Sequence, residues 1–305
     1  MADTSQIPDL PIITLLNSPD WQDYALLDSG DGRKLERFGS QLLIRPEAQA
    51  MWRPALAQSE WARANAEFKP GPGENGGNWI SRKELPARWQ MQYHGLKFWA
   101  ALSGSRHVGV FPEQATHWDW IGECIRPLNR PLKVLNLFGY TALASLAAAQ
   151  AGAQVTHVDA SKKVVSWGRE NQALSGLEDR PIRWLVDDAF KFVAREGRRG
   201  SVYDGLILDP PKFGRGPKGE VWEFFKLMPG LLEACRQLLS PDPVFLVLTS
   251  YAVPISSITL YHTAHNCLRL GQGRYESGEL VTVERSSGRT LSHALYFRWL
   301  NREKV

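Results

Sequence analysis

The feature that most constrains the fold of this 305-residue chain begins at Leu132. From there, apolar runs of strand length alternate with helical stretches. KVLNLF is followed by TALASLAAAQAG, AQVTHVDA by SKKVVSWGRENQALSG, IRWLVD by DAFKFVAREG, YDGLILD by EVWEFFKLMPGLLEACRQLL, and PVFLVLTS continues the series. A strand without polar alternation is buried on both faces, and parallel neighbours need a crossover helix between them. The pattern predicts an α/β fold with a Rossmann-like, doubly wound, mostly parallel sheet. Thr141 is expected to cap the first of these helices and Gly152 to end it. GELVTVERSS and HALYFRWL finish the chain as two strands with no helix between them, which predicts an antiparallel edge.

The first third reads as β-rich. YALLDSGDGRKLERFG carries apolar residues on either side of Asp31-Gly32, a hairpin signal, and QLLIRP extends it. The Gly/Pro-rich stretch FKPGPGENGGNW, 68–79, is expected to be a surface loop. No Lys-Ser or Lys-Thr pair closes it, so it is not a P-loop. RHVGVF predicts a short strand, and PEQATHWDWIGECIRPL a helix opening on Pro112 and Glu113. The length suits two domains. We expect a smaller β-rich, substrate-side domain over 1–103 and a larger α/β domain over 104–305. Tryptophan is frequent before the sheet (Trp52, Trp61, Trp79, Trp89, Trp99, Trp118, Trp120). Most of these are expected to pack in the core or between domains.

The net charge of +4 is mildly basic and compatible with a polyanionic partner. Cys124, Cys235 and Cys267 form no CxxC pair, so neither a disulfide framework nor a metal site is indicated. The opening MADTSQIPDL lacks the basic segment and apolar core of a signal peptide, and no run is long enough to span a bilayer. These features predict a reduced, cytoplasmic protein without a membrane partner, as a monomer or a homodimer.

In an open α/β sheet, ligands bind outside the carboxyl ends of the strands. The first strand runs into NLFGYTA, Asn136 to Ala142, whose one glycine is Gly139. A dinucleotide fold wants GxGxxG there, which argues against NAD and FAD. The second strand ends on Asp159, where an acid bonds ribose hydroxyls and can also cap the next helix. The third ends on Asp187 and Asp188, which can accept from an adenine amino group. The fourth ends on Asp209. One glycine, an adenosine-reading set and no phosphate cradle describe an adenosine cofactor without phosphates. S-adenosylmethionine fits, because its sulfonium tolerates nearby carboxylates.

With VLNLFGYTALAS, HVDAS, DDAFKF and DPPKFGRG in order, EVWEFF following and GVFPEQ upstream, the chain resembles class I S-adenosylmethionine-dependent methyltransferases. More narrowly it resembles the bacterial group that methylates bases of 23S ribosomal RNA, without that group's N-terminal RNA-binding module. The resemblance implies that the Gly139 turn passes the methionine part, flanked by Asn136, Phe138, Tyr140 and Thr141. It implies that Asp159, with Ala160 and Ser161, meets the ribose. Asp188, with Asp187 and Ala189, would meet the adenine edge. Phe111 and Gln114 would approach from the domain junction, and Asp209, Pro210, Pro211, Lys212 and Phe213 would face the methyl group.

Methyl transfer from a sulfonium needs mainly orientation of the acceptor. Two prolines without N–H groups make the Asp209–Phe213 stretch rich in acceptors for an amino or ring N–H group. Phe213 is expected to stack on a base, and Lys212 and Arg215 to meet phosphate. Related enzymes acting on cytosine carbon 5 carry a cysteine after the fifth strand. Here LVLTSYAVP offers Thr249, Ser250 and Tyr251 instead, which favours a nitrogen target. REGRRG (Arg195, Arg198, Arg199) is expected to be a solvated helix end. The competing readings are cytosine-C5 methylation of ribosomal RNA, methylation of a small molecule or protein, and a non-enzymatic RNA-binding protein.

Overall fold

The computed structural model describes residues 11–18, 21–71 and 76–301. The MADTSQIPDL segment and the 72–75 tip of the Gly/Pro-rich stretch lie outside them. In chain order the elements are β1 (Ile13–Asn17), β2 (Tyr24–Gly30), β3 (Arg33–Phe38), β4 (Gln41–Pro46), α1 (Gln58–Trp61), β5 (Ala66–Pro70), β6 (Gly77–Ser81), β7 (Trp89–Tyr93) and β8 (Leu96–Ala100). A 3-10 turn over Pro112–Gln114 leads into α2 (Ala115–Ile125), β9 (Lys133–Leu137), α3 (Leu143–Gln150), β10 (Gln154–Asp159), α4 (Lys162–Leu174), β11 (Ile182–Val186) and α5 (Ala189–Arg198). Then follow β12 (Gly205–Leu208), β13 (Phe213–Arg215), β14 (Val221–Glu223), α6 (Phe224–Arg236), β15 (Phe245–Tyr251), α7 (Ser257–Leu268), β16 (Gly273–Val283) and β17 (Thr290–Asn301).

The apolar runs pair into one eight-stranded sheet, ordered β1-β16-β17-β15-β12-β9-β10-β11. Strands β9 to β12 and β15 are parallel, while β17 runs antiparallel to both β15 and β16. Each central strand feeds two cores. Leu206 and Leu208 join Leu135, Leu246 and the α5–α7 layer on one face. Ile207 joins Val134, Val247, Phe245 and α2 on the other. Burial on both faces is why these strands read as continuous apolar runs.

The sheet also takes in β1, which pairs parallel with β16, so its residues are not confined to those after 103. Gly278 permits this close pairing: a Cβ there would lie 1.7 Å from the Thr14 carbonyl oxygen.

The Asp31-Gly32 hairpin forms as expected, with both residues at positive φ (50° and 72°) between β2 and β3. Strands β2 to β6 make a five-stranded sheet, and β7 pairs with β8. Two expectations need correction. The 68–79 stretch is not a plain loop: its ends are the paired strands β5 and β6, with Phe68 opposite Trp79. RHVGVF forms no strand, because Gly109 turns the backbone at φ 94° with the Trp167 ring packed where its Cβ would be. Helix α7 followed from no sequence signal used above. Of the tryptophans, Trp89 and Trp118 sit with Trp21 in one core that joins β2–β4 and the β7–β8 hairpin to α2 and α3.

The turn after β16 ties the amino-terminal sheet to the large one. Backbone N–H groups of Arg285 and Ser286 donate to the Leu26 and Leu27 carbonyls. The buried Asp28 carboxylate accepts from Ser286 Oγ (2.7 Å), the Leu56 and Ala55 N–H groups and Trp61 Nε1. Burial alone would raise its pKa, but four donors outweigh burial and hold it below the ordinary carboxylate value. Asp28→Ala strands all four donors. It is expected to lower stability by roughly 2–4 kcal/mol, measured by urea denaturation at neutral pH.

Candidate active site

Strand order switches between β9 and β12, where the chain leaves one half of the sheet for the other. At their carboxyl ends lies a small, half-open cavity of about 50 Å³. It brings together Phe111, Gln114, Asn136, Phe138, Gly139, Tyr140, Thr141 and Asp209 of the sequence-derived set. Val110, Trp118, Leu143, Ala144, Ile207 and Thr249 complete the lining. A larger, more open depression of about 550 Å³ lies at the opposite, amino-terminal ends of β10 and β11. There Glu196 is already paired with Arg183, Arg199 and Tyr203, and strand polarity puts the depression away from the switch.

The turn after β9 is strained. Phe138, Tyr140 and Ala142 sit at φ 58°, 50° and 75°, each costing on the order of 1–2 kcal/mol without glycine. Four bonds, from β10, Gly109 and α4, hold it. Tyr140 N donates to Asp159 Oδ2 (2.9 Å) and Gly139 N to the Val158 carbonyl (3.1 Å). Thr141 Oγ1 donates to the Gly109 carbonyl (2.7 Å), and Asn171 Nδ2 to the Thr141 carbonyl (3.0 Å). Thr141 therefore does not cap α3, as the sequence suggested. Ala142 occupies the cap position and makes no side-chain bond.

Asp159 also accepts from Ser161 N (2.8 Å), so its two oxygens tie β10 both to the turn and to the start of α4. Burial raises its pKa against these bonds. Asp188 Oδ1 caps α5 by accepting from Lys191 N. Asp187 accepts from Asp188 N and pairs with Arg195 at 2.5 Å. Asp159, Ala160, Ser161, Asp187, Asp188 and Ala189 thus stand at the ends of β10 and β11, outside the cavity lining. In the REGRRG cluster, Arg195 and Arg199 pair with acids of their own surroundings.

The Asp209–Phe213 stretch offers fewer acceptors than its prolines suggest. The Pro211 carbonyl accepts from Trp222 Nε1 (2.6 Å) and the Lys212 carbonyl from Phe224 N (3.0 Å). The Trp222 ring packs on Phe138, centroids 5.0 Å apart, so the stretch is clamped to the strained turn. Phe213 lies opposite Glu223 in the β13–β14 hairpin and is 47% exposed. Pro210 is buried beside Asp209, while Pro211 and Lys212 are exposed.

Asp209 is the exceptional group. Its Oδ2 accepts from Gln114 Nε2 (3.3 Å), while Oδ1 is sealed from solvent with no partner among the described residues. Burial and the nearby charge of Glu113 push its pKa up to about 7. Sequence reasoning used Glu113 only as a helix-opening residue. It is a buried carboxyl that lies electrostatically against Asp209 and Tyr251, and burial raises its pKa too. Tyr251 packs on Phe111 (5.1 Å); its buried Oη faces these acids but makes no well-formed hydrogen bond among the described residues. Trp222 carried no signal beyond its place in EVWEFF.

A switch-point cavity lined by Asp209 and the strained Phe138–Thr141 turn, with Asp159 and Asp188 at the neighbouring strand ends and no glycine-rich phosphate cradle, suits a phosphate-free adenosine cofactor. The chain belongs to the S-adenosylmethionine-dependent methyltransferases: that family's model matches residues 21–254. S-adenosylmethionine is accordingly its cofactor, and the chain is an enzyme. A solved methyltransferase from Agrobacterium tumefaciens is 47% identical and superposes with a TM-score of 0.91 over 97% of this chain and 96% of its own. A Streptococcus mutans methyltransferase shares the fold (TM-score 0.68, 16% identity, 92% of this chain and 75% of that one).

Among curated relatives, the ribosomal RNA large subunit methyltransferase K/L of Hahella chejuensis is 33% identical over 173 residues, 56% of this chain and 22% of that protein. The ribosomal RNA large subunit methyltransferase I of Klebsiella pneumoniae is 30% identical over 129 residues, 42% of this chain and 31% of that protein. This chain therefore spans about a fifth to a third of the curated relatives it matches. No helix among the described residues is long and apolar enough to cross a membrane.

The folded pKa of Asp209 lies above its unfolded value of 3.8, so its favourable contribution is present below 3.8 and lost as pH rises through about 7. Asp209→Asn is expected to match the wild-type Tm near pH 4 and exceed it increasingly up to pH 7, with a plateau above. A pH series of thermal melts checks this.

Proposed function

We propose that this methyltransferase modifies a nucleobase of ribosomal RNA, most economically at a nitrogen. The observation that carries the reading is Asp209 Oδ1, buried and without a partner among the described residues, at the end of β12 beside the switch point. A buried acceptor without a donor costs about 1–3 kcal/mol, a cost removed when an acceptor N–H arrives. With a pKa near neutrality, Asp209 can hold that N–H and take its proton as the nitrogen is alkylated.

When bound, the cofactor supplies the electrophilic methyl group. We assign the Phe138–Thr141 turn with Asn136 to its methionine part, Asp159 with Ala160 and Ser161 to the ribose, and Asp187, Asp188 and Ala189 to the adenine edge. Phe111 and Gln114 approach from the domain junction. Pro210, Pro211 and Lys212 shape the acceptor side, where Phe213 stacks on the base. A base within a helix must leave its stack to reach this cavity. The names of the curated relatives support an RNA acceptor.

Cytosine carbon 5 needs a thiolate, and the end of β15 offers Thr249, Ser250 and Tyr251. Cys235 is buried in α6, and burial pushes its thiol up to about 12, which leaves no nucleophile there. The proposed setting is the cytoplasm, with a monomer or homodimer acting on RNA. The two-domain division at residue 103, with the β-rich part on the substrate side, belongs to the same proposal.

Nucleoside mass spectrometry of ribosomal RNA from a deletion strain is expected to show one N-methylated base missing. A full complement of modified bases would exclude ribosomal RNA as the substrate and favour a small molecule or protein. Asp159→Ala is expected to weaken S-adenosylmethionine binding about tenfold or more by calorimetry, by loosening the turn and losing the ribose contact. Phe213→Ala is expected to raise KM for RNA roughly tenfold, the loss of one stack, with cofactor affinity unchanged.

A further inference from the structure

Beneath the strained turn lies a histidine that the functional reading does not use. His157, on β10, is fully buried. A Cβ on Gly139 would sit 2.3 Å from its Cε1 and 2.5 Å from its Nδ1. Gly139 is outside the positive-φ set, unlike its neighbours Phe138 and Tyr140. It must be glycine because the imidazole fills the space below it, and not because of its backbone angle.

The ring is held on two sides. Its Nδ1 is 2.9 Å from Ser145 Oγ, which in turn accepts from Asn136 Nδ2 (2.8 Å). The ring also packs against Trp184, tilted by 55° with centroids 4.8 Å apart. Trp184 and Ala142 together fill the space where a Cβ on Gly168 would be, so the same layer supports the far end of the turn. His157 Nε2 has no partner among the described residues, which a purely packing position would avoid by using an apolar side chain. Burial lowers the pKa of the ring to about 3, so it stays neutral and adds no cation beneath a site for a sulfonium.

We infer that His157 is a positioning residue for the cofactor: its neutral ring, fixed by Ser145 and Trp184, props the Phe138–Ala142 turn at the height where its backbone meets S-adenosylmethionine. The inference rests on that turn being the cofactor contact. It assigns Gly139 and His157 as one steric unit, in which the floor under the glycine sets the place of the peptide above it.

The test is a double-variant cycle read by calorimetric binding of S-adenosylmethionine, with a thermal melt of each protein. Gly139→Ala is expected to weaken binding about tenfold or more, because the methyl group lifts the turn off the ring. His157→Ala is expected to weaken binding several-fold by letting the turn sink. The combined variant is expected to recover most of the Gly139→Ala loss, because the new methyl group takes space the ring has left. If His157→Ala does not fold, His157→Asn, which is smaller and still able to bond Ser145, replaces it in both arms. A double variant that binds no better than Gly139→Ala overturns the inference, as does a His157 variant that lowers Tm and leaves affinity at the wild-type value. Unchanged affinity in Gly139→Ala itself instead removes the turn as the cofactor contact, and the reading beneath the inference with it.

Discussion

Three non-glycine residues in the left-handed region, within five positions, represent a few kcal/mol of stored backbone strain, and the site is organised around holding them. No single element can do so. Asp159 reaches the turn from β10, Asn171 from α4 and Gly109 from the segment before α2, while Trp222 packs on it from the β13–β14 hairpin. The turn is therefore where the helical layer, the sheet and both sides of the proposed transfer meet.

The charge arrangement follows the same logic. Glu113 and Asp209 are two carboxyl groups buried near each other, and both are pushed toward the neutral form by burial. The field of Lys34 and Arg45 from the amino-terminal sheet opposes this at Glu113. Those cations are themselves fixed: Arg45 grips Glu36 with two bonds, at 2.6 and 2.7 Å, and holds that buried carboxylate at a pKa of about 2. Burial acts first on Glu36 and would raise it, but the ion pairs outweigh burial. The charge network of the amino-terminal sheet thus acts on Glu113, whose own charge acts in turn on Asp209 at the end of β12.

Much of the fold was legible because its signals are local or nearly so. Double-sided burial makes β9, β12 and β15 continuous apolar runs, and Asp31-Gly32 adopts the positive φ pair its residues favour. The antiparallel edge followed from two strands lacking a crossover helix. Failures occurred where a distant partner overrides a local preference. Thr141 looks like a cap but spends its hydroxyl on Gly109, which lies 32 residues away. RHVGVF has strand composition, yet Trp167 from α4 packs against the bent backbone at Gly109. The prolines of the acceptor stretch promise free carbonyls, yet Trp222 and Phe224 take two of them.

Residue order alone specified the α/β class, the carboxylates at successive strand ends and the missing phosphate cradle, because these depend on periodicity and on where each apolar run stops. Packing in three dimensions decided which of those polar ends share a cavity. It left Asp209 with an oxygen unpaired among the described residues and Glu113 nearby, turned Asp188 to capping α5, and set His157 under Gly139. Those outcomes depend on desolvation and on contacts between chain positions far apart in order, and neither quantity exists until the strands have aligned.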